Sequence, residues 1–181
     1  ADTDRYFAAS VLADYLTGDN DAPLKRAILD AGLGQDVSVN VRSDIQQSWV
    51  SWEVCNTDAE KLPEIRSTIR AALQKIADEG LDANRLEACY NHFAFSQRDR
   101  DGSGMPRSLI EALTMLDSWL YGGDTARPLL VDKPLEKLAA DLNTDLFADL
   151  IRELFLDESH SVTAVLVPSH TVGAEKAKAE A

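Results

Sequence analysis

The sequence predicts an α+β fold, a small and mostly antiparallel sheet covered on one face by several helices. Three observations predict it. Apolar residues recur at helical spacing along most of the chain. The period switches to two in Val37-Ser-Val-Asn-Val41 and again in Trp49-Val-Ser-Trp-Glu-Val54. These two alternating segments are separated only by a polar turn, Ser43 to Gln47, so they read as a hairpin.

The elements follow in order. Asp2 and Asp4 stand where a helix cap belongs, and Tyr6, Phe7, Val11, Leu12, Tyr15 and Leu16 then keep helical spacing. Thr17 to Pro23 is turn-rich. Pro23 opens a short helix to Asp30, which Gly32 and Gly34 end. After the hairpin, Ile65, Ile69, Leu73 and Ile76 mark a long helix from Leu62 to Glu79, stopped by Gly80. Asp82 caps the next, which runs through Leu86, Cys89, Phe93 and Phe95 to about Gln97. Arg98 to Gly104 is a polar break, and Pro106 reopens a helix carrying Leu109, Ile110, Leu113, Leu116, Trp119 and Leu120; its spacing predicts Trp119 in the core. Two shorter helices fall near Leu135–Leu142 and Leu146–Leu156, and Ser161 to Val167 is predicted to be a strand closed by Pro168. Three strands are few for so many helices, so a further strand is expected to precede Ala1. The helix-forming run Glu175 to Ala181 breaks off in mid-pattern, and the chain is expected to be a fragment of a longer polypeptide.

Composition narrows the function. Of 181 residues, 45% are hydrophobic and 27% charged, which excludes a disordered chain or a disulfide scaffold. No apolar run approaches the ~18 residues of a membrane span. The formal net charge of −13 argues against nucleic acid and anionic membranes as partners, since affinity there rests on Lys and Arg. Cys55 and Cys89 have no zinc-like spacing and read as buried free thiols, which points to a reducing, cytoplasmic compartment. His92, His160 and His170 form no local metal pair, and His92 reads as structural. There is no G-x-S-x-G elbow, P-loop or G-x-G-x-x-G.

Several segments together carry a resemblance: Tyr15 to Gly34, Phe93 to Arg98, Pro106 to Leu109, Trp119 to Asp124, Phe147 to Ile151 and His160 to Pro168. In this order they resemble the insulinase (pitrilysin) superfamily of zinc peptidases, in its presequence-protease/falcilysin branch, and they cover nearly the whole chain. The chain departs from that pattern where Thr125 follows Asp124 and where Glu158-Ser precedes His160. The resemblance implies the second, non-catalytic domain of the N-terminal half, spanning residues 1–168, with 169–181 beginning a helical linker to the C-terminal half. The H-x-x-E-H zinc helix of the superfamily is absent from these 181 residues. Zinc is therefore expected in the full-length parent, in the preceding domain, and no cofactor and no peptidase activity in this fragment alone.

What the resemblance implies for binding is a wall of a peptide-sized chamber. Relatives add a bound peptide as a strand to one sheet edge, where backbone hydrogen bonds give sequence-tolerant affinity. The matching positions are Val39, Asn40 and Val41 on the first strand and Gly18, Asp19 and Asn20 in the loop before it. The plainer reading of the first group is an ordinary hairpin strand, and of the second a helix-connecting turn. Trp49 and Trp52 point to opposite faces of their strand, one to the core and one to a neighbouring domain or the chamber. An acidic chamber surface would draw in basic peptides. The alternatives are a scaffold or core-subunit-like domain of the same superfamily with no peptidase activity in the parent, and a free-standing helical adaptor.

Overall fold

The computed structural model describes residues 3–99 and 104–180. Asp2 and Arg100 fall outside them. Helix α1 (Thr3–Thr17) buries Phe7, Ala8, Ala9, Val11, Leu12, Tyr15, Leu16 and Thr17, residues distributed around its whole circumference. A helix that buries this many residues sits largely inside a protein, with Arg5 exposed and Asp4, Ser10 and Asp14 only partly covered; the small side chains Ala8, Ala9 and Ala13 let neighbours approach closely. Helix α2 (Pro23–Asp30) starts at the predicted proline and presents Leu24 and Ile28 to the core. Gly32, at φ 64°, takes the left-handed turn that ends it.

Strands β1 (Asp36–Arg42) and β2 (Trp49–Cys55) pair antiparallel as a two-stranded sheet. The register sets Val37 opposite Val54, Val39 opposite Trp52 and Val41 opposite Val50. That row is the apolar face, with Val37 and Val39 buried and Trp52 and Val54 packed against the core. The other row, Ser38 with Glu53 and Asn40 with Ser51, is polar. Trp52 thus lies on the core side and Trp49, half exposed, on the other, as period two requires.

Helices α3 (Leu62–Glu79), α4 (Ala83–Asp99), α5 (Arg107–Trp119), α6 (Asp132–Asp141) and α7 (Leu146–Ile151) follow, with a π-helical turn at Arg152–Leu156 and a last helix α8 (Val172–Glu180). Asp82 caps α4 by accepting the Arg85 N–H at 2.7 Å. Helix α1 packs on β1, α2, α4, α6 and α7, while α3 packs on α2 and α7. Phe7 and Phe93 meet edge to face with centroids 5.0 Å apart, and the Tyr90 hydroxyl donates to the Leu135 carbonyl at 3.1 Å, joining α4 to α6. The helices thus cover the apolar face of the hairpin, an α+β arrangement.

Four expectations are corrected. Ser161 to Val167 is no strand: Val162 is 94% and Leu166 92% exposed, and neither strand of the sheet lies against them. Alternation confers the propensity, but a strand needs a ladder partner. The segment is instead held at its start, where Arg66 bonds Glu158 and the Thr163 hydroxyl and Arg70 bonds Glu158 and the Leu156 carbonyl. Trp119 is not core but 62% exposed, on a stripe with Leu109, Leu113, Leu116 and Leu120 that faces away from the body. Helix α5 packs mainly against the turn at Arg127–Leu129. Phe95 is likewise exposed, and Cys55 is only half-buried while Cys89 is buried.

This packing sets a contrast between two leucines. Leu12→Ala empties a site with no solvent exposure and lowers the unfolding free energy by about 2–5 kcal/mol in urea titration. Leu116→Ala, on the exposed stripe, changes it by no more than about 0.5 kcal/mol.

Candidate functional site

The two groups of candidate residues come together at the C-terminal end of α1. Thr17, the last residue of that helix, is buried, and its hydroxyl makes two bonds. It donates to the Ala13 carbonyl at 3.1 Å and accepts the backbone N–H of Val39 at 3.0 Å. A hydroxyl has one proton and spare lone pairs, so both bonds use its ordinary capacity. The loop Gly18–Asn20 leaves the helix at this point and is therefore fixed beside β1. Gly18 must be glycine, because a Cβ there would stand 2.6 Å from the Asp14 carbonyl oxygen, whose bond from the Gly18 N–H is 2.7 Å long.

The exposed Asp19 organises the loop. Its carboxylate accepts the Asp21 N–H at 2.8 Å, an Asx turn, and its carbonyl accepts the Ala22 N–H at 3.1 Å. Its second carboxylate oxygen accepts Arg85 Nη2 at 2.9 Å, while Arg85 Nε donates to the Tyr15 carbonyl at 3.2 Å. The same guanidinium lies 5.7 Å from the centroid of the Tyr15 ring, and the Tyr15 hydroxyl accepts the Asp82 N–H at 3.0 Å. Burial raises the Tyr15 pKa, whereas the Arg85 hydrogen bond holds Asp19 below the usual carboxylate range. Asn20 is exposed at the loop tip.

On β1 the three candidates differ. In an antiparallel strand alternate residues direct their N–H and C=O groups to the partner and away from it. The Val39 amide goes to Thr17, so the Val39 and Val41 backbone groups face the outer edge, away from β2. Asn40 directs its backbone to β2 and offers only an exposed side chain, bonded to the Ser38 hydroxyl at 3.3 Å. The Val39 side chain is buried and that of Val41 partly so. The edge carries backbone groups at strand spacing next to an ordered acidic loop, which suits an extended polypeptide.

Two further reactive groups, Cys89 and His92, both lie beside Asp14. Burial pushes the Cys89 thiol up to about 11, with the Asp14 carboxylate adding to the effect, so it stays protonated near neutrality. His92 Nδ1 lies 3.4 Å from Asp14 Oδ2 on the exposed side of the same cluster, making a surface contact rather than an activated pair. Among the described residues no three His, Cys, Asp or Glu side chains are grouped to hold a metal ion, and no helix is long and apolar enough to cross a membrane. Thr17 and Arg85 escaped the sequence reading. Their partners lie 22 and 66 residues away, beyond any local spacing.

Comparison with known proteins decides the family. Residues 1–92 match the peptidase M16 inactive domain. The chain belongs to that family. Protein HypA of Clostridium perfringens is 34% identical over 97% of this chain and 18% of its own length. Presequence protease 1, chloroplastic/mitochondrial, of Arabidopsis thaliana is 29% identical over 92% of this chain and 16% of its own. The mitochondrial presequence protease of Xenopus tropicalis is 21% identical over 99% and 18%. The chain thus spans less than a fifth of these relatives. It is a non-catalytic domain of a peptidase-family protein. M16 peptidases are generally zinc-dependent, and the described residues of this M16 domain do not fit that metal, so no step of hydrolysis is assigned to them.

The depressed Asp19 pKa gives a signed expectation. A carboxylate whose folded pKa is lowered contributes stability above its unfolded pKa and loses it as pH falls through the folded value. Thermal melts of wild type and Asp19→Asn differ at about pH 7, wild type being higher, and converge as the pH falls below the ordinary carboxylate range.

Proposed function

We propose that this chain is a non-catalytic substrate-chamber domain of a zinc metalloendopeptidase that degrades peptides, and that the outer edge of β1 binds substrate by strand addition. The observation that carries the reading is the match of residues 1–92 to the M16 inactive domain, a stretch that contains the loop Gly18–Asn20 and the whole hairpin. Backbone groups at Val39 and Val41 suit varied peptide sequences, because main-chain pairing ignores side chains.

In this reading zinc and the water-activating glutamate reside in a preceding domain of the parent polypeptide, and the C-terminal half closes the chamber. Residues 1–168 are the domain and 169–181 begin a helical connection, a division supported by α8, whose side chains are all exposed. A reducing compartment such as the cytoplasm is supported by the free thiols Cys55 and Cys89; localisation of the tagged parent separates it from the organelles printed in the relatives' names.

The test uses both the chain and its parent. The chain alone holds no stoichiometric zinc and cleaves no peptide, whereas the polypeptide that carries it does both. A parent without hydrolysis favours the scaffold reading. Val41→Pro removes one outward amide and leaves the ladder to β2 intact, which an edge position tolerates. In the parent it raises KM for long peptides about 2- to 10-fold, the worth of one backbone hydrogen bond. Unchanged KM contradicts binding at this edge.

A further inference from the structure

Thr17 holds the Val39 amide in the middle of the outward-facing β1 edge, and this limits how a peptide can pair there. An N–H donates one good hydrogen bond, and the Val39 N–H already donates to the Thr17 hydroxyl at 3.0 Å in a buried setting. A bound strand cannot take that amide without displacing the hydroxyl. The next outward groups along β1 are the Val39 carbonyl and then the N–H and C=O of Val41. Upstream, the Val37 N–H is also engaged, by the Asp36 carboxylate at 2.9 Å, and that carboxylate is paired with Lys25 at 3.1 Å. Both outward amides of the first half of β1 are therefore engaged, which disfavours strand addition there relative to the second half.

The same hydroxyl is bonded to the final turn of α1 through the Ala13 carbonyl. The loop that starts at Gly18 is in turn tied to α4 by the Asp19–Arg85 pair. Loop and strand thus share one anchor, although 22 residues separate Thr17 from Val39 in sequence.

We infer that Thr17 is the positioning residue of the peptide edge: its hydroxyl fixes the loop Gly18–Asn20 against β1 and sets the register of an added strand, whose pairing starts at the Val39 carbonyl. This rests on the reading of β1 as a peptide-binding edge. Thr17 touches no substrate. It acts through the Val39 amide and through the position of the loop.

The experiment compares Thr17→Val, which keeps the shape and removes the hydroxyl, with Thr17→Ser, which keeps the hydroxyl, both in the parent polypeptide. Each is assayed with a long peptide and with one too short to reach β1 from the zinc centre. Thr17→Val is expected to raise KM for the long peptide about 3- to 10-fold with little change in kcat and no change for the short peptide. Thr17→Ser is expected to restore the wild-type value. A KM unchanged in Thr17→Val, or raised equally for both peptides, overturns the inference. Val41→Pro separates the two claims: if it raises KM and Thr17→Val does not, the edge binds peptide without Thr17, and if neither does, the edge reading itself has failed. Amide hydrogen exchange on the wild-type parent stands in where Thr17→Val does not fold. Peptide binding is expected to slow exchange at Val41 and leave Val39 unchanged, and new protection at Val39 overturns the proposed register.

Discussion

Helix α1 buries most of its surface, with Arg5 exposed and Asp4, Ser10 and Asp14 partly so. Val11, Leu12 and Leu16 are fully buried, and Phe7, Ala8, Ala9 and Tyr15 nearly so. Strand β1 and helices α2, α4, α6 and α7 are all arranged around it. A helix of this kind gains little from its own amphipathicity and almost everything from its neighbours. Its C-terminal turn is held by that packing and by the two Thr17 hydrogen bonds. The loop Gly18–Asn20 and the edge of β1 both depend on that point.

Polar contacts then convert a rigid core into a defined surface. Thr17, Tyr15, Asp19 and Arg85 form a connected set in which one end of α1, the loop after it, β1 and the start of α4 are bonded to one another. Each exposed ion pair on its own is worth little. The Thr17 bond differs, because its loss would leave a buried amide without a partner. The surface built this way has no nucleophile and no cluster of metal donors among the described residues. What it offers is backbone hydrogen bonding at a fixed place.

Local periodicity made much of this legible. The boundaries of α2 and α3, the hairpin and the opposite placement of Trp49 and Trp52 follow from Pro23, Gly80 and strict alternation. Two features could not be read because they depend on what lies alongside. The stripe from Leu109 to Leu120 shows an amphipathic helix but not whether anything covers it, and Trp119 stands in the open. Ser161 to Val167 has strand chemistry but no paired neighbour in the sheet. The candidate loop and strand were found through family resemblance. The bond that joins them was not, since a threonine at the end of a helix carries no signal of a partner 22 residues on.

The most direct measurement is a structure of the parent polypeptide, made catalytically inactive, with a long peptide bound. An extended peptide is expected along the outer edge of β1, hydrogen-bonded to the Val39 carbonyl and to Val41, with the Thr17 hydroxyl still on the Val39 amide. A peptide bound elsewhere in the chamber, with the β1 edge free or covered by another part of the protein, would contradict it.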